Sequence, residues 1–273
     1  MNVLVFDIET IPDVASARRM LSLKDLDDAE VAQVMFSRRR EETDGQSDFL
    51  RHYMHRVVAI SSVLRRDERL SVWSLGSEES GECELLERFF DGIERFSPTL
   101  VSWNGGQFDL PVLHYRALHH GVAAGRYWET GDDDRSFRYN NYLNRYHDRH
   151  TDLMDVLAAY NVRAAAPLTE IATLLGFPGK LGMDGGDVWG RYLAGEIKAI
   201  RDYCETDVLN TYLVYLRFEL MRQRLTADAY AAECDRLRAY LAAEDKAHFR
   251  EFLSAWSQTS VKLDSESGRD ADH

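Results

Sequence analysis

The amino-acid sequence predicts an α/β fold: a mixed central sheet with helices packed on it and a helical extension toward the C-terminal end. Three observations carry that expectation. Apolar and β-branched runs at 3–6, 57–66, 70–75 and 99–103 have strand character. A helical pattern separates the third run from the fourth, an order that builds a sheet with helices packed on it. From residue 151 onward the pattern is helical.

The first run, VLVFDIET (3–10), ends in Asp7 and Glu9. Side chains two apart on a strand share a face, so these carboxylates emerge side by side and repel unless a cation, a proton or solvent relieves them. IPD then breaks the strand, and residues 13–55 are polar with mixed charge, read as short helices or a mobile flap and treated as a variable insertion. VVAISSVLRR and LSVWSL are hairpin strands across an intervening Asp-Glu. ECELLERFFDGIERF repeats apolar residues at three and four, an amphipathic helix closed by Ser97-Pro98. TLVSW is a short buried strand, and FDLPVLHYRALHHG a helix with Pro111 in its first turn and Gly121 as its stop. TDLMDVLAAYN, PLTEIATLLG, EIKAIRDYCETDVLNTYLVYLRFELM and two later segments follow as helices. The expected organisation is a catalytic-type domain over 1–220, a C-terminal helical extension over 221–256 and a disordered tail over 257–273.

Composition narrows the function classes. A net charge of −13 has the wrong sign for coating nucleic acid through broad electrostatics, so a polyanion would be held locally. Acid surplus suits hard divalent cations, which take oxygen ligands. Cys83, Cys204 and Cys234 are far apart with no C-x-x-C, arguing against a zinc site or a disulfide framework. Neither a membrane-length apolar run nor a signal-like N-terminus is found, so a cytoplasmic location is expected.

A second acid stands in SWNGGQFDLPVL. A Gly-Gly loop leaves the buried strand at Asn104 and delivers Asp109 to the start of a helix, where it reads either as an N-cap or as a ligand at a strand end. A third segment, RDYCETDVLNTYLVYL, sets Tyr203 and Asp207 one turn apart on one helix face, while Arg201, Asp202 and Glu205 point elsewhere and read as solvated. DDDRSFRYNNYLNRYHDRH (132–150) interleaves arginines with tyrosines. Arg138 could hold phosphate there and Tyr142 could stack on an unpaired base. Asp152 reads as a helix cap, with Asp155 solvated or structural. Lys180, in the glycine-rich GKLGMDGGDVWG, could touch phosphate but lacks the following Ser or Thr of a P-loop.

The order D-x-E, N-x-x-x-F-D and Y-x-x-x-D resembles the DEDD exonucleases of the RNase H-like superfamily, in their tyrosine subgroup. More narrowly, FDIETIPD, SWNGGQFDLPVL and KLGMDGG through YCETDVLNTYLVYLR are similar to predicted 3′-to-5′ exonucleases related to the proofreading domain of family-B DNA polymerases. The resemblance implies an RNase H-like sheet and two divalent ions, Mg²⁺ or Mn²⁺. Asp7 would bridge the ions, Glu9 and Asp207 would hold the first, and Asp109 would help to hold the second. Tyr203 would orient the attacking water. It further implies single-stranded or 3′-ended nucleic acid as substrate, with Thr10, Asn104 and Phe108 near it, and nucleoside 5′-monophosphates as products. The alternatives are a non-catalytic nucleic-acid-binding protein of the same fold and a haloacid-dehalogenase-type phosphatase. The phosphatase gives the Tyr-x-x-x-Asp helix no role.

Overall fold

The computed structural model describes residues 1–267, and of 259–267 the backbone alone. A five-stranded sheet forms the centre, built from β1 (Asn2–Pro12), β2 (His55–Arg66), β3 (Arg69–Ser74), β4 (Thr99–Ser102) and β5 (His150–Asp152). Their spatial order is β3-β2-β1-β4-β5. β1–β2 and the β2–β3 hairpin are antiparallel, whereas β1–β4 and β4–β5 are parallel. This is the mixed RNase H-like sheet that the motifs imply. β5 is the departure: the sequence pattern reads helix from 151, but His150–Asp152 pairs with β4 before α6 (Leu153–Leu157) begins. Three residues are too few to display a period of two against the helical signal that follows.

β1 alternates between two cores. Val3 and Val5 enter the cluster that contains Leu209, Leu213, Leu237, Leu241, Phe249 and Phe252. Leu4, Phe6 and Ile8 enter the opposite one, with Phe89, Phe90, Leu110 and Leu113. Asp7 and Glu9 continue the first face, where α9 (Ile197–Met221) crosses. On the second face lie α3 (Glu82–Phe96) and α4 (Asp109–His120), and their bounds match the amphipathic patterns.

The insertion is helical. α1 (Val14–Leu21) and α2 (Asp28–Glu42) pack through Ala17, Val31, Met35 and Leu50, and α2 opens on a capping box between Asp27 and Glu30. The short α5 (Gly125–Trp128), α7 (Leu168–Leu174) and α8 (Val188–Leu193) fill the connections. α10 (Ala227–Glu244) and α11 (Ala247–Ser267) share the core of β1 and α9, so the C-terminal extension is continuous with the main body. Burial of Phe249 and Phe252 alone contributes about 1.5–3 kcal/mol each. The tail expected to be disordered differs too: α11 runs on to Ser267, and the rest of that segment lies outside the described residues. A helix already nucleated by buried aromatics gains one hydrogen bond for each residue it adds, which polar composition does not forbid.

Candidate active site

Asp7 and Glu9 stand on β1 just past Val5, where its pairing with β4 ends while that with β2 runs on to Pro12. The pairing with β2 shifts register between Glu9 and Thr10, a bulge that re-aims the strand end. Asp109 comes from the other side. Asn104 takes a left-handed conformation (φ 64°), which asparagine tolerates, and reverses the chain after β4. Gly105 lies so close to Ser102 that any Cβ would collide with that side chain. Asp152 fixes the loop, its two carboxylate oxygens accepting from Asn104 N and Gly106 N at 2.9 Å each. It also caps α6, as expected, while Asp155 is paired with Arg145. The N-cap position of α4 is Phe108, so Asp109 sits one residue inside and does not serve as the cap. Its carboxylate instead faces its own N–H and that of Ile8, between Asp7 and Glu9. Tyr203 and Asp207, one turn apart on α9, complete the set.

The structure therefore brings together the four acids and the tyrosine of the three motifs. Asp7 and Glu9 each offer an oxygen within 4.8 Å of the other and of Cys204 Sγ. Burial, then Asp109 and Asp207, hold the Asp7 carboxyl well above the usual range. Glu9 is raised by burial and by Asp7, Asp207 and Asp109. Burial lifts Asp109 to about 7 and Asp207 to about 6. Among the described residues, no Lys or Arg forms an ion pair with any of the four. Such a cluster is a poor resting place for anions and a good one for a hard cation. Four oxygen-bearing side chains fit Mg²⁺ or Mn²⁺. Cys204 does not fit as a ligand for them: burial holds its thiol protonated, and it donates to the Asp7 backbone and carboxylate at 3.5 Å. Its place beneath Asp7 has no local sequence signal beyond adjacency to Tyr203.

Beside Glu9 opens a cavity of about 630 Å³, lined by Thr10, Phe49, His55, Phe108 and Trp189 among others. Thr10 and Phe108 thus stand at the site. His55 was not foreseen. Buried and held near 4, it is neutral; its Nε2 faces the Leu50 carbonyl at 3.2 Å, so Nε2 carries the hydrogen and Nδ1 accepts from the Thr10 hydroxyl at 2.9 Å. The Thr10 oxygen is left as an acceptor for a donor arriving from the cavity.

Three expected substrate contacts are placed differently. Tyr142 is buried, donates to Pro98 O at 2.6 Å and stacks on Tyr127 at 5.5 Å, so it cannot offer a face to a base. Arg138 is exposed on the same loop and does not line the cavity. Lys180 holds Asp184 at 2.8 Å and lines a separate surface depression. The solvated reading of Glu205 and Arg201 also fails. Glu205 is 5% exposed and accepts from Ser74, Lys246 and His248, while Arg201 donates to the carbonyls of Ser74, Leu75, Gly76 and Ser77.

The chain is similar to several known proteins. A family model described as "Predicted 3'-5' exonuclease related to the exonuclease domain of PolB" matches residues 47–256, a span that includes Asp109, Tyr203 and Asp207 and begins after Asp7 and Glu9. The DNA polymerase epsilon catalytic subunits A of Emericella nidulans and Aspergillus fumigatus are each 28% identical over 145 residues, or 51% of this chain and 6% of theirs. The chain thus corresponds to a small part of those polymerases. The family B DNA polymerase of the hyperthermophilic archaeon Pyrobaculum calidifontis aligns with 81% of this chain and 24% of its own, at 18% identity and a TM-score of 0.46.

Proposed function

We propose, from the premise that this chain belongs to the family of predicted 3′-5′ exonucleases related to the exonuclease domain of PolB, that it hydrolyses phosphodiesters at the 3′ end of single-stranded DNA or RNA and releases nucleoside 5′-monophosphates. One observation carries the reading: four buried or half-buried carboxylates from β1, α4 and α9 converge without a compensating cation among the described residues. Asp7, Glu9, Asp109 and Asp207 would hold Mg²⁺ or Mn²⁺. Such ions, when bound, lower the pKa of a water and stabilise charge on a leaving oxygen.

The remaining groups bind and orient. Burial with Asp207 and Glu9 nearby raises the Tyr203 hydroxyl well above 10, so it stays protonated and cannot be the base. Its O–H lies within reach of Asp207, leaving the oxygen as an acceptor that orients a water. Thr10 accepts from a sugar hydroxyl, and Phe108 offers an apolar surface to the terminal nucleoside.

The test is cleavage of 5′- and 3′-labelled DNA and RNA oligonucleotides with Mg²⁺, Mn²⁺ or EDTA. A metal-dependent ladder shortening from the 3′ end is expected, with Asp7→Ala at least a thousandfold slower. Tyr203→Phe should lower kcat by about ten- to a hundredfold, at the low end of acid–base and water-positioning effects, while KM changes little. Intact strands under every condition, with the wild-type protein folded, would sink the proposal.

A further inference from the structure

Several aromatic rings of the segment before β2 are not spent in the core. Phe49 is 54% exposed and Tyr53 43%, and both meet residues of the α4 region. Phe49 lies 5.4 Å from Phe108, tilted by 57°, and Tyr53 lies 6.1 Å from Tyr115 at 75°. Tyr115 is itself 49% exposed, two helical turns beyond Phe108 and so about 10 Å along the axis. The result is an exposed aromatic strip that starts at the cavity wall beside Glu9 and runs outward along α4.

The strip is held in place from beneath. His52 Nε2 bonds the Gln107 carbonyl at 2.8 Å, tying the turn at His52–Met54 to the loop that delivers Asp109. His55 packs edge-on against Phe108 at 5.2 Å while holding Thr10 and Leu50. Arg39 donates to the Phe49 carbonyl at 2.8 Å. Exposed rings fixed this firmly beside a ligand site mark a surface shaped for a partner.

Charge decides which partner. Three cations of the insertion are neutralised within it: Arg39 and Arg51 pair with Glu42, and Arg40 with Asp48. A duplex presents phosphates and hides its base faces, so this surface offers it little. An unpaired strand presents flat π faces that stack on aromatic rings whatever the base.

We propose that Phe49, Tyr53, Phe108 and Tyr115 form a stacking track for unpaired bases at the mouth of the site, and that the segment before β2 makes the protein selective for single strands over duplex. The proposal rests on the exonuclease reading of the adjoining carboxylates. DNA and RNA share the chemistry that the track recognises.

Fluorescence anisotropy tests it on the full chain in EDTA, where hydrolysis plays no part, with labelled dT12, rU12 and a blunt DNA hairpin of equal length. Wild type should bind both single strands at least tenfold more tightly than the hairpin. Phe49→Ala and Tyr115→Ala should each raise Kd for the single strands about five- to fiftyfold, the loss of one stacked base. Phe49→Trp should restore affinity, which loss of local packing would not allow. Stacking should also leave a shallow salt dependence, below about two units of log Kd per unit of log salt. Equal affinity for strand and hairpin, or alanine variants with wild-type Kd, would overturn the track. If those same variants shift the sedimentation coefficient, the strip belongs to a second copy of the chain. The two readings fail separately: a wild type that never cleaves but loses affinity in Phe49→Ala defeats the exonuclease and keeps the track. Cleavage with no effect of Phe49→Ala defeats the track alone.

Discussion

Helix α9 buries acids on two faces, and their circumstances are opposite. Glu205 faces Ser74, Lys246 and His248, accepting at 2.9, 2.9 and 2.8 Å, and these donors hold its carboxyl near 2 against the cost of burial. Asp207, two positions on and turned by about 200°, faces Asp7 and Glu9, and burial lifts it to about 6. Similar chemistry on one helix thus serves structure on one face and is left unsatisfied on the other. Burial alone does not mark a functional acid. Glu82, clamped by Arg116, and Glu233, clamped by Arg65, belong with Glu205. What separates Asp7, Glu9, Asp109 and Asp207 is the lack of any donor cation among the described residues.

The sharpest way to break that comparison is to neutralise one acid from each face. Glu205→Ala takes the acceptor from the buried His248 and from Ser74, with Lys246 still partly in water, and should cost about 2–4 kcal/mol. Asp207→Asn removes a charge that the metal-free fold resists, and should leave stability unchanged or raise it by on the order of 1 kcal/mol. Urea midpoints in EDTA at pH 7.5 read both. Equal losses in the two variants would erase the distinction.

A smaller effect lies in pH. The four site carboxyls have folded pKa values above their unfolded ones, so the metal-free fold holds protons that the unfolded chain has released between about pH 4 and 7. Their contribution to stability therefore falls as pH rises through that window. Buried His55 and His150 and half-buried His114, all held near 4, act oppositely: their contribution is full above the unfolded value of 6.5 and is lost as pH falls toward 4. Glu205 adds a more acid limb, complete above 4.5 and lost as pH falls toward 2. Thermal melts in EDTA isolate the site as the difference between wild type and Asp7→Asn. The variant's advantage should grow by a few degrees from pH 5 to pH 8, and added Mg²⁺ should reverse it. An advantage that shrinks with pH would mean that the acids are already satisfied.

Much of this was legible in the sequence because it depends on local geometry. A period of two sets Asp7 beside Glu9, a period of 3.6 sets Tyr203 above Asp207, and α3 and α4 appear with the bounds that their apolar spacing implies. The illegible parts depend on contacts far along the chain. Glu205 looks solvated until α11 folds back, because Lys246 and His248 lie 41 and 43 residues away. Thr10 gains its partner at a separation of 45 residues. The insertion did carry one unused signal: Asp27 and Glu30, spaced as a capping box, announce α2.

The loop at 132–150 shows why composition misleads about contacts, and it supplies the smallest prediction. Arginine interleaved with tyrosine suits nucleic acid, but whether a ring faces water or core is set by its neighbours. Arg149 lies over Phe137 and Arg145 is taken by Asp155, while Tyr142 is enclosed with Tyr127. The Tyr142 hydroxyl, raised to about 12 by burial, donates to Pro98. Tyr142→Phe should cost about 1 kcal/mol, the worth of one buried hydrogen bond, and leave the affinity for dT12 within a factor of two. Phe49→Ala should show the reverse, a large loss of affinity with little loss of stability, since its ring is already half in water. A Tyr142 variant that bound strands poorly while melting normally would return the substrate contact to this loop and take it from the aromatic strip beside Glu9.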